Sequence, residues 1–346
     1  MKKTLLAALL LALPAGAQEY RTLAPGGDTI CSDGSPYRFF VRQGDPGRLV
    51  VEFEGGGACW SDFTCSLEIY NRRITTDLEQ ARQAGMLRGI HDPDNRENPF
   101  RDWTHVYVPY CTGDLHWGST TRPYSLGGQP FSVHHKGAAN AGSALSWTFA
   151  NMPDPRQVLV TGCSAGGYGA TLWSAHVMQQ YPGAAVAHLS DAAAGVATPG
   201  FLTQVLATWG AQQAWPSWIP ELALDRLDPR RVVMTDVMTA LAAYHPQYPF
   251  SQYTTLFDST QIFFYGLIKG GLGGPGDAQE WNRMMLESLD ELTARNPNFH
   301  SYTAPGTQHC IINRGELYTT QVNGVRFVDW IRALATTGAP GSVRAR

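Results

Sequence analysis

Gln157-Val-Leu-Val-Thr-Gly-Cys-Ser-Ala-Gly-Gly167 is the stretch whose reading decides the fold. Its first half, Gln157 to Thr161, is a short apolar, β-branched run that predicts a buried strand. Its second half opens a helix-compatible stretch from Gly167 to Gln180. Between them lies Gly162-Cys163-Ser164-Ala165-Gly166, a Gly-x-Ser-x-Gly turn. A serine on so tight a turn projects its hydroxyl into a cleft, and flanking glycines admit the strained backbone and leave room for a ligand. In a chain with 36 glycines the pentapeptide alone carries little weight. Its setting between strand and helix gives it more.

Working outward, further strands are expected at Arg48 to Phe53, Trp103 to Pro109, Ala185 to Leu189, Tyr253 to Phe257 and Phe299 to Ala304. Helices are expected at Gly137 to Asn151, Asp277 to Arg295 and Gly324 to Thr336. Trp281, Met284, Met285, Leu289 and Leu292 form the apolar stripe of an ordinary amphipathic helix. Strands alternating with helices imply a mostly parallel central sheet covered on both faces. With the serine turn, the fold class is α/β and resembles an α/β-hydrolase, whose nucleophile elbow has this order. Residues 191–250 lack a strand pattern and carry Trp209, Trp215, Pro216, Trp218 and Pro220. They are expected either to cap the site or to pack into the core.

The first 17 of the 346 residues read as a cleaved signal peptide: Met1-Lys2-Lys3, an apolar core, and Ala15-Gly16-Ala17 before the cut. The rest, 18–346, reads as one domain, secreted or periplasmic. The net charge of −3 and the lack of a Lys/Arg run argue against nucleic acid and against stable membrane association. Six cysteines in an oxidising compartment imply disulfides. No C-x-x-C or Cys/His ligand spacing is present, so neither a metal nor a cofactor is expected. His91-Asp92-Pro93-Asp94-Asn95 reads as a solvated turn, and His134-His135 as surface or capping residues.

A serine nucleophile needs a base and an acid that orients the base, in the chain order Ser, Asp or Glu, His. His176 and His188 fall inside elements, as does His300. His309 follows the last strand in the loop Pro305-Gly-Thr-Gln-His-Cys310, where a base would hang. Two acids qualify, Asp258 and Asp191, each after a strand; the later strand puts Asp258 ahead. Glu54-Gly-Gly-Gly-Ala58 follows another strand and offers bare backbone N–H groups for an oxyanion.

Glu54-Gly-Gly-Gly-Ala-Cys59, Gly162-Cys-Ser-Ala-Gly-Gly167 and Phe257-Asp-Ser-Thr-Gln-Ile262 together resemble the pectin acetylesterase/Notum family. Cys31-Ser-Asp-Gly-Ser-Pro36, Glu97-Asn-Pro-Phe100, Pro109-Tyr-Cys-Thr-Gly-Asp114 and His309-Cys310 extend the resemblance, in order, over about residues 30 to 312. The resemblance implies a secreted serine carboxylic ester hydrolase. Ser164 would be the nucleophile, His309 the base and Asp258, not Asp191, the acid. Oxyanion donors would be Ala165 and Gly56 or Gly57. The family cleaves acetyl groups from pectin or a fatty acyl group from a signalling protein. One departure bears on the substrate: plant relatives place Trp beside the triple glycine, where this chain has Ala58. Acetylated polysaccharide, polyester or lipid, and small acyl ester all stay open as substrates. So do an acyltransferase, a peptidase and a non-catalytic extracellular binding protein on the same fold.

If Ser164 and His309 meet, their neighbours Cys163 and Cys310 are brought together, a cysteine arrangement similar to that of tannase-like esterases. Cys59 and Cys65 are close in sequence and would staple the loop after the glycines. Cys31 and Cys111 would then form the third pair.

Overall fold

Residue 157 opens a strand because Val158, Leu159 and Val160 are buried from both sides, which only a central strand of a covered sheet allows. The computed structural model describes residues 19–228, 230–271 and 274–345. Residues 1–17, read as a signal peptide, lie outside them. In chain order the strands are β1 (Tyr20–Leu23), β2 (Phe39–Arg42), β3 (Asp45–Phe53), β4 (Trp103–Val108), β5 (Thr120–Leu126), β6 (Gln129–His135) and β7 (Gln157–Cys163). They continue with β8 (Ala185–Asp191), β9 (Phe250–Thr255), β10 (Phe299–Ala304), β11 (Gln321–Val322), β12 (Val325–Arg326) and β13 (Val343–Arg344).

Among the described residues, nine of these strands form one sheet in the order β1-β2-β4-β3-β7-β8-β9-β10-β13. β1 and β2 pair antiparallel at one edge, and from β4 to β13 every neighbour is parallel. The chain has an α/β-hydrolase-like fold, a mostly parallel sheet flanked by helices. Alternation along β3 shows the two layers: Leu49, Val51 and Phe53 enter one apolar cluster, Val50 the other. The helices Gly137–Asn151 and Ala165–Gln180 cover the first face; Phe327–Thr337 covers the second with Val328, Trp330 and Ile331. No helix among the described residues is long and apolar enough to cross a membrane.

Several elements depart from the sequence reading, and two of them show why. The strand expected at Tyr253 to Phe257 runs from Phe250 to Thr255. It stops early because Asp258 caps the next helix, Ser259–Ile268, accepting the N–H groups of Thr260 and Gln261, so the two residues before it form a turn and Phe257 is 39% exposed. The helix expected from Gly324 starts at Phe327, because Gln321–Val322 and Val325–Arg326 pair as a hairpin instead. The β5/β6 hairpin was not foreseen, and it corrects the reading of His134-His135. His135 is buried at a strand end, with Nε2 2.9 Å from the Tyr124 hydroxyl and Nδ1 2.9 Å from the Thr112 carbonyl. His91 is likewise buried rather than part of a solvated turn. Asp92 does form that turn, accepting from the N–H groups of Asp94 and Asn95.

Candidate active site

Four parallel strands end at the same edge of the sheet, and each delivers one part of the site. β7 delivers Ser164. Its φ of +56° is in the left-handed region, where a non-glycine residue is strained. The strain is held by neighbours: the Ser164 N–H donates to the Asp191 carbonyl at 2.8 Å, and the Ser164 carbonyl accepts from the Gly167 N–H at 2.9 Å. The motif glycines are a packing requirement. A Cβ on Gly162 would lie 2.3 Å from the Gly166 carbonyl oxygen, and one on Gly166 would lie 1.9 Å from that of Phe53.

β10 delivers His309 on the loop after Ala304, and β9 delivers Asp258. The Asp258 carboxylate is fully buried. Its two oxygens lie 2.9 and 2.8 Å from His309 Nδ1, an arrangement that favours the tautomer with the proton on Nδ1. They also accept from Thr260 N–H at 3.1 Å, Gln261 N–H at 3.0 Å and Gln261 Nε2 at 3.0 Å. The carboxylate is thus fixed in position by four donors. His309 Nε2, on the other side of the ring, is buried and has no partner among the described residues.

β3 delivers Gly55 to Gly57. Gly57 has φ +77°, and a Cβ there would meet the Ile69 carbonyl oxygen at 1.9 Å. The loop is pinned by Asn71 N–H donating to the Gly56 carbonyl at 2.8 Å, and by His116 Nε2, 2.9 Å from the Glu54 carbonyl. Gly55 packs on the nucleophile turn, where an added Cβ would stand 3.2 Å from Ser164 Cβ. Among the described residues, the backbone N–H groups of Gly56, Gly57 and Ala165 donate to no protein acceptor.

Three disulfides join Cys31 to Cys111, Cys59 to Cys65, and Cys163 to Cys310. The last spans 147 residues and ties the serine turn to the histidine loop, with Cα atoms 5.7 Å apart. Every cysteine is paired, so no thiolate is free to hold a metal.

Asp191, the rival acid, has a different task. Its Oδ2 accepts the N–H groups of Ile311 and Ile312 at 2.8 and 2.9 Å, just after His309-Cys310. Burial pushes its carboxyl up to about 7, against the pull of those two N–H groups. Asp114, to which the sequence assigned no role, anchors the opposite wall. It accepts from Thr112 Oγ1 at 2.6 Å, His116 N–H at 3.2 Å and Gly137 N–H at 2.8 Å. This fixes Leu115 and His116 in left-handed conformations and aims Leu115 and Trp117 at the site. Sequence reasoning also missed Glu52, whose carboxylate lies 3.1 Å from His91 Nε2 and 2.7 Å from His105 Nε2. These three side chains are buried and spend their polar atoms largely on one another.

Ser164 and His309 stand between two cavities. One, of about 880 Å³ counted out to its mouth, is apolar and runs past Ala58, Trp117, Val205, Phe264 and Trp281. Segment 191–250 supplies much of its wall through Phe201, Val205 and Met234. Trp209 lies at its base, buried with Trp215 in the core. The other, of about 800 Å³ with the open space at its mouth included, runs past Glu52, Glu54, Tyr107 and Asn313.

The family model described as Pectinacetylesterase matches residues 23–204, more than half of the chain. A zebrafish (Danio rerio) protein described as an inactive palmitoleoyl-protein carboxylesterase, notum1b, is 31% identical over 32% of this chain and 76% of its own length. The Xenopus laevis palmitoleoyl-protein carboxylesterase notum2 is 27% identical over 40% of this chain and 28% of its own. Pectin acetylesterase 5 of Arabidopsis thaliana is 27% identical over 47% of this chain and 38% of its own. The last two matches therefore span well under half of those relatives. The fold of the Drosophila Wnt deacylase Notum superposes with a TM-score of 0.68 at 16% identity, covering 95% of both chains. Taken with the elbow, the glycine loop and the sheet order, these matches place the chain in the pectinacetylesterase family of carboxylesterases.

Proposed function

We propose that this protein is a secreted serine carboxylic ester hydrolase that works through an acyl-enzyme. One observation carries the reading: His309 is clamped through Nδ1 by a buried carboxylate, its Nε2 is unpartnered among the described residues, and it lines a cavity together with Ser164. In the proposed cycle, Nε2 takes the Ser164 hydroxyl proton as Oγ attacks the ester carbonyl. Asp258 holds the ring and stabilises the imidazolium. The carbonyl oxygen, now negative, receives the N–H groups of Ala165 and of Gly56 or Gly57; one such donor contributes about 10²- to 10³-fold in rate. Collapse expels the alcohol, which takes its proton from His309. A water, deprotonated by the same nitrogen, then releases the acid and restores Ser164.

The apolar cavity is the proposed acyl site, because aliphatic and aromatic side chains favour a hydrocarbon chain over water. Ala58 lines it, and its small side chain, where the plant members carry Trp, changes that wall. Segment 191–250 is proposed as its cap. Acetylated polysaccharides and polyesters compete with lipid-like and small acyl esters as the natural substrate. Secretion, with cleavage near Ala17, accords with the three disulfides.

The test is hydrolysis of chromogenic esters in a chain-length series by the wild type and by Ser164→Ala. Loss of at least about 10³-fold in kcat is expected on substitution. Equal rates in both would remove the serine mechanism and leave the reading of a non-catalytic binding protein. An added alcohol acceptor, with product analysis, separates hydrolysis from acyl transfer.

A further inference from the structure

Gln261 lies three residues after Asp258, one turn into the helix Ser259–Ile268, so its side chain comes back beside the carboxylate. The two oxygens of that carboxylate are served differently. Oδ1 takes the backbone N–H groups of Thr260 and Gln261 at 3.1 and 3.0 Å, which the helix start supplies whatever side chains follow. Oδ2, 2.8 Å from His309 Nδ1, has one other donor among the described residues, Gln261 Nε2 at 3.0 Å. The helix cap thus fixes one oxygen, and the Gln261 side chain fixes the one nearer the imidazole.

The amide is itself held. Its Oε1 accepts the Ala194 N–H at 2.7 Å, and Nε2 donates a second time, to Thr254 Oγ1 at 3.0 Å. Turning the amide over would set its oxygen against the carboxylate and its NH2 group against an N–H, so one orientation satisfies all three partners. The side chain is buried, and a buried amide is held in place by the hydrogen bonds it would lose on moving. A primary amide here supplies what no apolar side chain of similar length can. It puts a fixed donor on the acid and anchors that donor to the start of segment 191–250.

Resting on the esterase reading, we propose that Gln261 is a positioning residue of the reaction and acts through Asp258. Its Nε2 keeps the carboxylate from turning about the Cβ–Cγ bond, and the carboxylate so fixed keeps His309 aligned on Ser164. Without that donor the carboxylate retains one anchored oxygen and loses the anchor on the other. Gln261 also lines the apolar cavity. Direct contact with the acyl group is therefore the competing role, and the test separates the two.

The test is a double-mutant cycle on a short-chain chromogenic ester. kcat and KM are measured for the wild type, Gln261→Met, Asp258→Ala and the double variant, with enzyme concentrations set by active-site titration. Gln261→Met is close in length and makes no such hydrogen bond. It is expected to lower kcat about tenfold, the scale of one hydrogen bond to a charged group, while KM changes by less than about threefold. In the Asp258→Ala background the same substitution should change kcat by less than about twofold, because the group it acts through is gone. A purely structural loss, or a contact with the acyl chain, would cost the same factor in both backgrounds, and that result overturns the proposal. An unchanged kcat in Gln261→Met alone overturns it too. Should Gln261→Met not fold, Gln261→Asn carries the same cycle, since the shorter amide cannot reach Asp258 and Ala194 together. Equal rates for the wild type and Ser164→Ala would instead overturn the esterase reading beneath it.

Discussion

Asp191 is the last residue of β8 and Asp258 follows the neighbouring parallel strand β9 by one short turn, and both carboxylates are fully buried. From the sequence they compete for one role, yet they meet different partners. Asp258 begins a helix, so its oxygens take two backbone N–H groups at the helix start and still face His309 Nδ1. Asp191 lies under the histidine loop and takes the N–H groups of Ile311 and Ile312, while its Oδ1 has no partner among the described residues. One carboxylate holds the ring, the other holds the backbone that carries the ring. A strand end brings an acid to the site, and the donors it meets there decide what it does.

The largest effect should come from breaking the first arrangement. Asp258→Asn keeps the shape but offers an amide N–H to Nδ1, favouring the tautomer with its proton on Nε2. A fall of about 10³- to 10⁴-fold in kcat, with little change in melting temperature, is expected from ester kinetics beside a thermal melt. An unchanged kcat would return the role to Asp191. Next comes the cross-link between the two loops. Cys163→Ser with Cys310→Ser should cost about 2–5 kcal/mol of stability, measured by denaturant unfolding. It should also lower kcat, since the serine turn and histidine loop would be free to part. Full activity with a lower melting temperature would make the bond a staple and nothing more.

The parts legible from sequence were those whose signal is local. The apolar run 157–161 followed by small residues can be read without any distant partner, and so can three glycines after a strand. His309 could be found because its loop follows a strand ending in Ala304. The unreadable parts rest on contacts made by folding. Asp114 acts through the Gly137 N–H, and Glu52 through histidines 39 and 53 residues away. The misplaced end of the strand before Asp258 has the same cause. Leu256 and Phe257 continue the apolar pattern, and only the cap made by Asp258 shows that the strand has already stopped.

Asp191→Ala comes next in size. It leaves the Ile311 and Ile312 N–H groups buried without an acceptor, which should cost about 2–4 kcal/mol. If Asp191 positions His309, kcat should fall by about ten- to a hundredfold while KM changes little. A loss of stability alone would make it purely structural.

The last substitution, at the same position, is the most diagnostic. In Asp191→Asn the amide oxygen can accept both N–H groups, as Oδ2 does now, so the loop is retained. What disappears is the titration. An acid whose pKa is raised on folding binds its proton more tightly in the native chain than in the unfolded one. Stability is then full below the unfolded value of 3.8 and declines as pH climbs through the native value of about 7. Unfolding midpoints of the wild type should therefore drop between pH 4 and 7 relative to Asp191→Asn, and the two curves should run parallel at higher pH. Curves parallel across the whole range would mean that the two N–H donors offset burial, so that Asp191 ionises in the native chain as it does in the unfolded one. The contrast with Asp258 would then rest on which donors each carboxylate meets, and not on charge.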